Sequence, residues 1–335
     1  MYRKPSRKNW KGRDDTPIDG ELGARWHQKV ERINLEEVDK LPPLLKKSKG
    51  FTLLGYCSDE GVRRNQGRVG AAEGPAQMRV HLSNLPWHFE KDTIIVDGGD
   101  VFCLGNFLEA SQSFLGEKVF QILHSGYKSV LLGGGHEIAW GHYLGIKKFL
   151  QTQRNHKLGI INFDAHFDMR ESVQGQSTSG TSFLQIARDR KANNQEFSYF
   201  VLGIQKLSNT PKLFQTAHEW RVQYITSEKM DFMFIQDIYE RLTQFIEKQD
   251  FLYVSVCLDV FSASYSPGVS ALNGLGIYPT IVTDLIQFIA RTGKVLAFDV
   301  AELCPKYDTD DRTARLASNL VFTYIDACSN QIIQK

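Results

Sequence analysis

The chain has 335 residues, of which 42% are hydrophobic, so it can bury a large core in one α/β domain or in two modest ones. Its 40 basic and 38 acidic side chains give a net charge of +2, which offers no support for a nucleic-acid partner or an acidic membrane surface. Five scattered cysteines without a CxxC spacing, and no apolar run long enough to cross a membrane, predict a cytoplasmic protein with reduced thiols.

The first fifty residues carry little strand signal. The segment PIDGELGARWHQKVERINLEEV predicts a turn followed by a loose amphipathic helix. It leads into KLPPLLKKSKG, where two prolines interrupt any regular element. We therefore expect residues 1–49 to form an N-terminal arm that packs on a single domain formed by residues 50–335.

Short apolar runs alternate with segments of helix length along the rest of the chain. In order, the runs are FTLLGY, TIIVDGGD, SVLLGGGHE, KLGIINFDAH, FSYFVLGI, RVQYIT, FLYVSVCLDV and KVLAFDVAEL. The helical segments are LEASQSFLGEKVFQILHSG, WGHYLGIKKFLQTQ, IQDIYERLTQFIEKQ, YPTIVTDLIQFIARTG and DDRTARLASNLVFTYIDACS. Strands that are apolar on both faces require helices above and below the sheet. The pattern predicts an α/β fold, a three-layer α/β/α sandwich around a mostly parallel sheet of about eight strands.

Four of these runs end in ionisable side chains. In chain order, these are His136 with Glu137, then Asp164 with His166 and Asp168, then Cys257 with Asp259, and finally Glu302. The carboxyl ends of parallel strands lie at one edge of a sheet, where ligands of such folds collect. The sequence therefore predicts that these groups form one site.

The segment DAHFD carries the strongest chemical signal. In an extended chain alternate residues face the same side, so Asp164, His166 and Asp168 line one wall. Carboxylate and imidazole without paired thiolates favour manganese, although zinc, iron or cobalt also suit such ligands. The alternative is a set of polar residues, each hydrogen-bonded separately at a loop entrance. The three glycines before His136 favour the metal interpretation, because they let the backbone come close to a ligand.

Cys257 and Asp259 alternate in the same way after the seventh run. A single cysteine in an apolar strand is more often a small buried hydrophobe than a ligand. With five metal-type residues expected at the same edge, the two interpretations are about equally supported.

The segments GGGHE, DAHFD, SVCLD followed by SPGVSA, and DVAEL followed by CP resemble the motif blocks of the arginase–agmatinase ureohydrolases. The resemblance extends from about residue 51 to about residue 325. It implies an arginase-like fold and a hydrolase that uses two Mn²⁺ ions to attack a guanidine or amidine carbon. It implies metal ligands at His136, Asp164, His166, Asp168 and Asp259, with Cys257 in place of a second aspartate that usually bridges both ions. Trimers or hexamers are typical of this family.

Two catalytic roles follow from the chemistry of that reaction. Two cations lower the pKa of a shared water, which gives a hydroxide that attacks the amidine carbon. Asp168 is the candidate for holding the proton of the hydroxide and passing it on. Glu302 is the candidate for pairing with the cationic amidine, because a carboxylate and an amidinium form a bidentate pair; a structural ion pair is the alternative role.

The segment CSDEGVRRNQGRVGAAEGPAQMR, residues 57–79, resembles the corresponding segment of formimidoylglutamases. That branch hydrolyses N-formimidoyl-L-glutamate to L-glutamate and formamide in histidine degradation. A substrate with two carboxylates calls for guanidinium groups. The candidates for binding this small molecule are Arg63, Arg64, Asn65, Arg68 and Arg170, together with Ser177 and Ser179 in a loop that donates hydroxyls to the substrate carboxylate within the family. Each arginine has a solvated surface role as its alternative.

Two positions depart from the family pattern. The first is Cys257, since a thiolate prefers softer ions than Mn²⁺ and leaves one of the two metal positions weak. The second is Phe183, which stands where arginases have a histidine proposed to shuttle protons. Other functions therefore stay open: hydrolysis of another guanidino acid, agmatine or arginine, or a metal-poor relative without turnover. Trp140 and His142 are expected to serve helix packing.

Overall fold

The structure, a computed structural model, describes residues 1–153, 156–172 and 174–330. Within these residues the chain forms one sheet with helices on both of its faces. Its ten strands are β1 (Tyr2–Arg3), β2 (Glu31–Arg32), β3 (Lys49–Cys57), β4 (Thr93–Phe102), β5 (Lys128–Leu132), β6 (Leu158–Phe163), β7 (Ser198–Ile204), β8 (Gln223–Thr226), β9 (Phe251–Cys257) and β10 (Val295–Ala301).

The sheet is parallel except at one edge. The strand order is β1-β4-β3-β5-β10-β9-β6-β7-β8, with β2 also pairing with β4, and only β1 is antiparallel to its neighbour among the described strands. Each of the eight predicted apolar runs forms a strand. The structure has two strands more than predicted, because the polar arm contributes the two-residue strands β1 and β2.

The α-helices are α1 (Thr16–Asp19), α2 (Trp26–Lys29), α3 (Glu60–Arg64), α4 (Gly74–Ser83), α5 (Leu108–His124), α6 (Ile138–Gln151), α7 (Ser182–Ala192), α8 (Pro211–Glu219), α9 (Ile235–Glu247), α10 (Pro279–Arg291) and α11 (Arg312–Ser329). All five predicted helical segments are confirmed. Helices α3, α4, α7 and α8 were not predicted, although α4 and α8 each carry a proline in the first turn, where the absent N–H costs no hydrogen bond.

Two hydrophobic cores lie on opposite faces of the sheet. One contains the apolar faces of α4, α9, α10 and α11, and the other contains those of α5, α6, α7 and α8. The strands between them are buried almost throughout, as β10 shows with all seven residues buried. The three-layer α/β/α sandwich is thus confirmed.

The arm, residues 1–49, is held by backbone pairing with the rest of the chain. The loose helix predicted there is wrong, since the segment forms the short helices α1 and α2, 3₁₀ turns at Gly20–Gly23 and Leu35–Lys40, and strand β2. The backbone N–H of Trp26 donates to the carbonyl of Leu85 (3.0 Å), and that of Trp87 donates to the carbonyl of Ala24 (2.9 Å). These long-range hydrogen bonds replace those that a continuous helix would make within itself.

A buried ionic cluster connects the arm, α4 and β4. The Arg79 guanidinium, 2% exposed, contacts Asp97 at 2.8 Å and Asp100 at 2.6 Å. From the arm, the Trp10 indole N–H donates to Asp97 (2.7 Å), and Arg3 pairs with Asp100 (2.9 Å). Every charge in this cluster therefore has an opposite charge beside it, as burial requires.

Within the ranges that the structure describes, no helix is both long enough and apolar enough to cross a bilayer.

Candidate functional site

The four strands that end in ionisable groups are neighbours in the middle of the sheet. They run in the order β5-β10-β9-β6, all parallel. Beyond their carboxyl ends lies a cavity of about 270 Å³. Metal-type side chains predicted from sequence line it: His136, His166, Asp168, Cys257, Asp259 and Glu302. Asp164, which is fully buried, lies beneath them.

The glycine run before His136 passes very close to the neighbouring chain. A Cβ atom on Gly134 would lie only 1.9 Å from the carbonyl oxygen of Ser58. The N–H of Gly135 donates to that same carbonyl (2.9 Å), and the N–H of Gly133 donates to Val300 (2.8 Å). A side chain at position 134 would therefore have no room, which is why glycine is needed. The glycine loop carries His136 over the ends of the central strands.

The first group of ligand-type atoms comes from His136, Asp164 and Cys257, whose donor atoms lie within 4.8 Å of one another. The His136 Nδ1 atom is 3.0 Å from Asp164 Oδ2 and 2.8 Å from Asp168 Oδ2. Despite these short distances, Nδ1 makes no hydrogen bond of good geometry within the described residues. An imidazole nitrogen facing two carboxylates in this way is arranged as a cation ligand.

The second group comes from Asp164, His166 and Asp259, again within 4.8 Å. The His166 Nδ1 atom lies 3.4 Å from Asp164 Oδ1 and 3.3 Å from Asp259 Oδ2. Asp164 thus turns one oxygen to each histidine and belongs to both groups. Two adjacent positions that share a carboxylate have the form of a two-cation centre.

The donor set and its unpaired atoms fit divalent cations. His136 Nδ1 and Asp259 Oδ1 are both buried without a hydrogen-bond partner in the described part of the chain. Buried polar atoms without partners are costly, and a cation between them removes that cost. Six residues named from sequence as ligands are brought together here, namely His136, Asp164, His166, Asp168, Cys257 and Asp259.

Without a cation, the charges in this cluster perturb each other strongly. Burial acts to raise the pKa of Asp164, but His136 and His166 outweigh it and lower that pKa below its ordinary value. Burial acts to lower the pKa of each histidine, and the facing carboxylates raise it well above the ordinary value. Burial, together with the charge of Asp164, raises the pKa of Asp168. Such dense coupling of buried groups is typical of functional sites.

Cys257, which is 2% exposed, differs from its neighbours because its side chain favours the neutral thiol. Burial, and then the charges of Asp164 and Asp259, raise the pKa of this thiol well above its ordinary value. Cys257 can therefore bind a cation only when the cation itself stabilises the thiolate form.

Asp168 and Glu302 have left-handed backbone conformations, with φ of 49° and 72°. Such conformations are uncommon outside glycine and cluster at functional sites. The Glu302 Oε1 atom accepts a hydrogen bond from the backbone N–H of His136 (2.8 Å), which fixes its carboxyl group at the cavity lining. Burial raises the pKa of Glu302 to about 8, with further contributions from the charges of Glu137 and Asp259.

Behind His136 lies a buried polar network that sequence reasoning missed. The Nε2 atom of His136 is 2.9 Å from Ser255 Oγ, which donates to Asp299 Oδ1 (2.6 Å). Asp299 Oδ2 is 2.7 Å from His142 Nδ1 and accepts from the Tyr253 hydroxyl (2.6 Å). His142 therefore does more than pack its helix. Two sequence signals were available: Ser255 alternates with Cys257, and Asp299 is an acid inside an apolar run.

Arg170 lies at the rim of the cavity with an exposed side chain. Its backbone N–H donates to the carbonyl of Gly180 (2.8 Å), which fixes where its side chain begins. Its guanidinium makes no hydrogen bond or ion pair among the described residues. Asn65 and Ser179 line the same cavity and are joined by a hydrogen bond from Asn65 Nδ2 to Ser179 Oγ (3.2 Å).

Arg68 also lines the cavity, and its guanidinium is held by the protein without a carboxylate partner in the described residues. It donates to the carbonyls of Ser270 (2.9 Å) and Val269 (2.5 Å) and stacks over the ring of Tyr307 at 4.3 Å. Its positive charge is thus positioned but not neutralised.

Arg63, Arg64 and Ser177 require a correction, because none of them lines the cavity. Arg64 pairs with Glu60 at 2.9 Å and with Glu109 at 2.6 Å, and Arg63 pairs with Glu60 at 2.6 Å. These ion pairs neutralise the charges of Arg63 and Arg64 within the protein. Ser177 is 2% exposed and its hydroxyl accepts from Gln185 (2.9 Å).

Phe183 and Trp140 have packing roles. The Phe183 ring, fully buried, contacts the His136 ring edge-on with 5.5 Å between centroids and stacks on Tyr199 at 4.5 Å. Trp140 stacks on Tyr143 at 5.7 Å within α6. The phenyl ring of Phe183 has no group that exchanges a proton, so it limits the orientation of His136 and does not shuttle protons.

Comparison with known proteins gives a consistent picture. The family model described as the arginase family matches residues 49–326. The chain is 40% identical over 326 residues to a protein of Clostridium tetani (strain Massachusetts / E88) named formimidoylglutamase, covering 97% of this chain and 96% of that protein.

Two solved structures are similar in fold. The crystal structure of formimidoylglutamase from Bacillus subtilis subsp. subtilis str. 168 gives a TM-score of 0.75 at 23% identity, covering 90% of this chain and 93% of that one. That of Trypanosoma cruzi formiminoglutamase with Mn²⁺ gives 0.73 at 22% identity, with coverage of 89% and 99%.

Proposed function

The chain belongs to the arginase family, and on that premise we propose that it hydrolyses N-formimidoyl-L-glutamate to L-glutamate and formamide. It is thus a hydrolase that acts on a linear amidine C–N bond, with a small molecule as its substrate. A full-length relative that carries the name formimidoylglutamase supports this assignment.

The observation that carries the proposal is the separation of charge across one cavity. Carboxylates and metal-type groups, Glu302 among them, form its floor. At the rim, Arg68 and Arg170 present guanidinium groups that no carboxylate among the described residues neutralises. A ligand with a cationic amidine at one end and carboxylates at the other matches both. Agmatine does not, because its far end is a second cation.

We infer that the floor holds two divalent cations, Mn²⁺ in the first instance, with Asp164 shared between them. The first would be held by His136, Asp164, Asp168 and Cys257, and the second by Asp164, His166 and Asp259. Bound there, divalent cations supply the Lewis acidity that makes water a nucleophile near neutral pH. Mn²⁺ bound to the similarly folded Trypanosoma cruzi protein supports this choice of metal.

The residues of the chain then have separate tasks. In the reaction, the oxygen of water bonds to the amidine carbon, the bond from that carbon to the glutamate nitrogen breaks, and this nitrogen takes up a proton. Asp168 accepts the proton of the water. Glu302 pairs with the amidinium and orients its carbon, while Arg68, Arg170, Asn65 and Ser179 bind the carboxylates of the substrate.

Turnover of three candidate substrates tests the proposal. Purified protein loaded with Mn²⁺ is incubated with N-formimidoyl-L-glutamate, L-arginine or agmatine, and formamide and urea are measured. We expect formamide from the first substrate and little urea from the other two. Faster turnover of arginine would contradict the substrate assignment, and no turnover of any amidine would support a non-catalytic relative.

Removing the free guanidinium at the rim is expected to weaken substrate binding. In Arg170→Gln, we expect KM for N-formimidoyl-L-glutamate to rise about 10- to 100-fold, since a charge-assisted hydrogen bond contributes about 1.5–3 kcal/mol. We expect kcat to change only a few-fold, because this contact is equally present before and during the reaction. Arg188→Gln is the matched control, because Arg188 lies on α7 and pairs with the exposed Glu171. A KM unchanged in Arg170→Gln would remove Arg170 from the binding site.

Restoring a carboxylate at position 257 is expected to strengthen metal binding. In Cys257→Asp, we expect the weaker Mn²⁺ position to bind about tenfold more tightly or better, because Mn²⁺ prefers oxygen to sulfur ligands. Metal content after dialysis and titration with Mn²⁺ measure the change. Cys257→Ser is the control of equal size. If neither wild-type protein nor Cys257→Asp takes up Mn²⁺, the two-cation assignment fails.

The organisation of the chain is part of the same proposal. Residues 1–49 form an arm on a single catalytic domain of residues 50–335, and the match to the family model, which begins at residue 49, supports this division. We also propose a cytoplasmic homo-oligomer, a trimer or hexamer, whose mass light scattering would measure.

A further inference from the structure

A continuous line of hydrogen bonds runs from the metal-type floor into the core. It passes from His136, which follows β5, through Ser255 on β9 and Asp299 on β10 to His142 on α6. The line ends at Ser129 on β5, whose hydroxyl lies 2.8 Å from His142 Nε2. Apart from His136 at 1%, all of these residues are 0% exposed, so solvent supplies none of their hydrogen bonds.

The direction of each hydrogen bond in this line follows from the number of hydrogens. The hydroxyl of Ser255 has one hydrogen, and it is donated to Asp299 Oδ1 at 2.6 Å. Toward His136, Ser255 Oγ can therefore only accept, so the 2.9 Å contact requires a hydrogen on His136 Nε2. A histidine that binds a cation does so as a neutral imidazole, in which only one nitrogen carries hydrogen. The Nδ1 atom then keeps its lone pair, and this is the atom that faces Asp164 and Asp168.

Asp299 is in turn held in one orientation. Its Oδ2 atom accepts from the Tyr253 hydroxyl (2.6 Å) and lies 2.7 Å from His142 Nδ1, which donates to it. The two donors on Oδ2 leave Oδ1 as the acceptor for Ser255. The ring of His142 is packed edge-on against Tyr253, with 4.8 Å between ring centroids, so neither donor is free to turn away.

We propose that Asp299 and His142 are positioning residues that fix the tautomer and ring orientation of His136 through Ser255, so that Nδ1 is always available to a divalent cation. The inference deepens the function proposed above and rests on its metal site. The side chains that support a metal-binding histidine from behind typically contribute about 10- to 100-fold to metal affinity. None of the residues behind Ser255 touches the cavity, so their effect is transmitted by hydrogen-bond direction alone.

Binding of Mn²⁺ to metal-free protein, measured by the electron paramagnetic resonance signal of free Mn²⁺, tests the proposal without any substrate. In Asp299→Asn, the donors of Tyr253 and His142 hold the amide oxygen at the Oδ2 position, which turns the amide NH₂ group toward Ser255. Ser255 then accepts from Asn and donates to His136 Nε2, which moves the ring hydrogen to Nδ1. We expect affinity for Mn²⁺ to fall about 10- to 100-fold.

A double substitution separates hydrogen-bond direction from packing. Ser255→Ala removes the link, leaves both tautomers of His136 accessible, and is expected to weaken Mn²⁺ binding about five- to tenfold. The double variant Ser255→Ala/Asp299→Asn is then expected to bind Mn²⁺ as Ser255→Ala does, and more tightly than Asp299→Asn alone. Ser129→Ala, a buried serine at the far end of the line, is the matched control and is expected to stay within about threefold. Circular dichroism of the metal-free variants verifies their fold.

Wild-type affinity in Asp299→Asn, or a double variant weaker than Asp299→Asn, would overturn the proposal. If Asp299→Asn does not fold, the comparison of the two serine variants decides, since equal affinities in Ser255→Ala and Ser129→Ala would equally overturn it. An error in the proposed substrate leaves all of these affinities unchanged, whereas wild-type protein that binds no Mn²⁺ would overturn both proposals.

Discussion

Replacing Asp164 by asparagine is expected to remove both metal ions and to lower kcat/KM at least about a thousandfold, a barrier higher by about 4 kcal/mol. Asp164 is 0% exposed and turns one carboxylate oxygen to His136 and the other to His166. An amide has the same shape but no charge, and its NH₂ group repels a cation at one of the two positions. The loss therefore spans both groups, although a single side chain is changed.

Asp259→Asn is the matched control for this substitution, because Asp259 belongs to the second group only. We expect it to lose one metal ion per chain and to retain the other. Elemental analysis gives the number of bound ions, and formamide release gives the rate. Two ions and undiminished turnover in Asp164→Asn would show that the shared carboxylate is not a ligand.

Replacing Arg79 by methionine is expected to lower the free energy of unfolding by about 3–5 kcal/mol, the usual consequence of leaving buried charges without their partner. Arg79 is 2% exposed between Asp97 and Asp100. Methionine fills much of the space of the arginine stem but offers neither charge nor hydrogen bonds. Because Trp10 of the arm donates to Asp97, the arm is expected to detach first.

Urea unfolding followed by tryptophan fluorescence measures this loss. Arg188→Met is the control, since Arg188 pairs with Glu171 at the surface, where both side chains are at least half exposed and ion pairs contribute little. Equal unfolding midpoints in the two variants would contradict the assigned role of Arg79.

The pH dependence of the Arg79→Met deficit gives a second check. Burial acts to raise the pKa of Asp100, but the charge of Arg79 outweighs it and holds that pKa below its ordinary value. The wild-type protein therefore keeps the stability due to Asp100 above the ordinary pKa of an aspartate and loses it only as the pH falls through the lowered value. Without Arg79 the pKa of Asp100 rises, so the folded variant takes up a proton at higher pH. We expect the deficit to be larger at pH 7 than near pH 4.

The substrate assignment depends on which arginines are free, and sequence could not decide this. All four candidates stand near motif residues, but Arg64 meets Glu109 on α5, 45 residues further along the chain. Arg68 meets only carbonyls and an aromatic ring, and Arg170 has no partner among the described residues. An arginine binds a ligand only when its charge is not already paired, and pairing with a distant carboxylate is a property of the fold.

The buried network behind His136 could not be predicted from sequence either. His142 is one of nine histidines and lies six residues after a metal-type histidine, where helical spacing alone suggests packing. Its partner Asp299 is 157 residues away along the chain. Only the adjacency of β5, β10 and β9 brings α6, Ser255 and Asp299 behind one imidazole ring.

What the sequence determined by itself was whatever depends on neighbouring residues. Hydrophobic periodicity located eight of the ten described strands and the five longest helices, and it marked ionisable groups such as Asp164 and His166 as residues that follow a strand. The parallel order then implied that these groups share an edge. Tertiary structure alone decided three features. They are the pairing of the arm with β4, which arginines have a carboxylate partner, and the direction of the hydrogen bonds behind His136. The reason is physical. A strand or helix is selected by its own side chains, whereas the energy of a buried charge or hydrogen bond depends on the partner that folding places beside it.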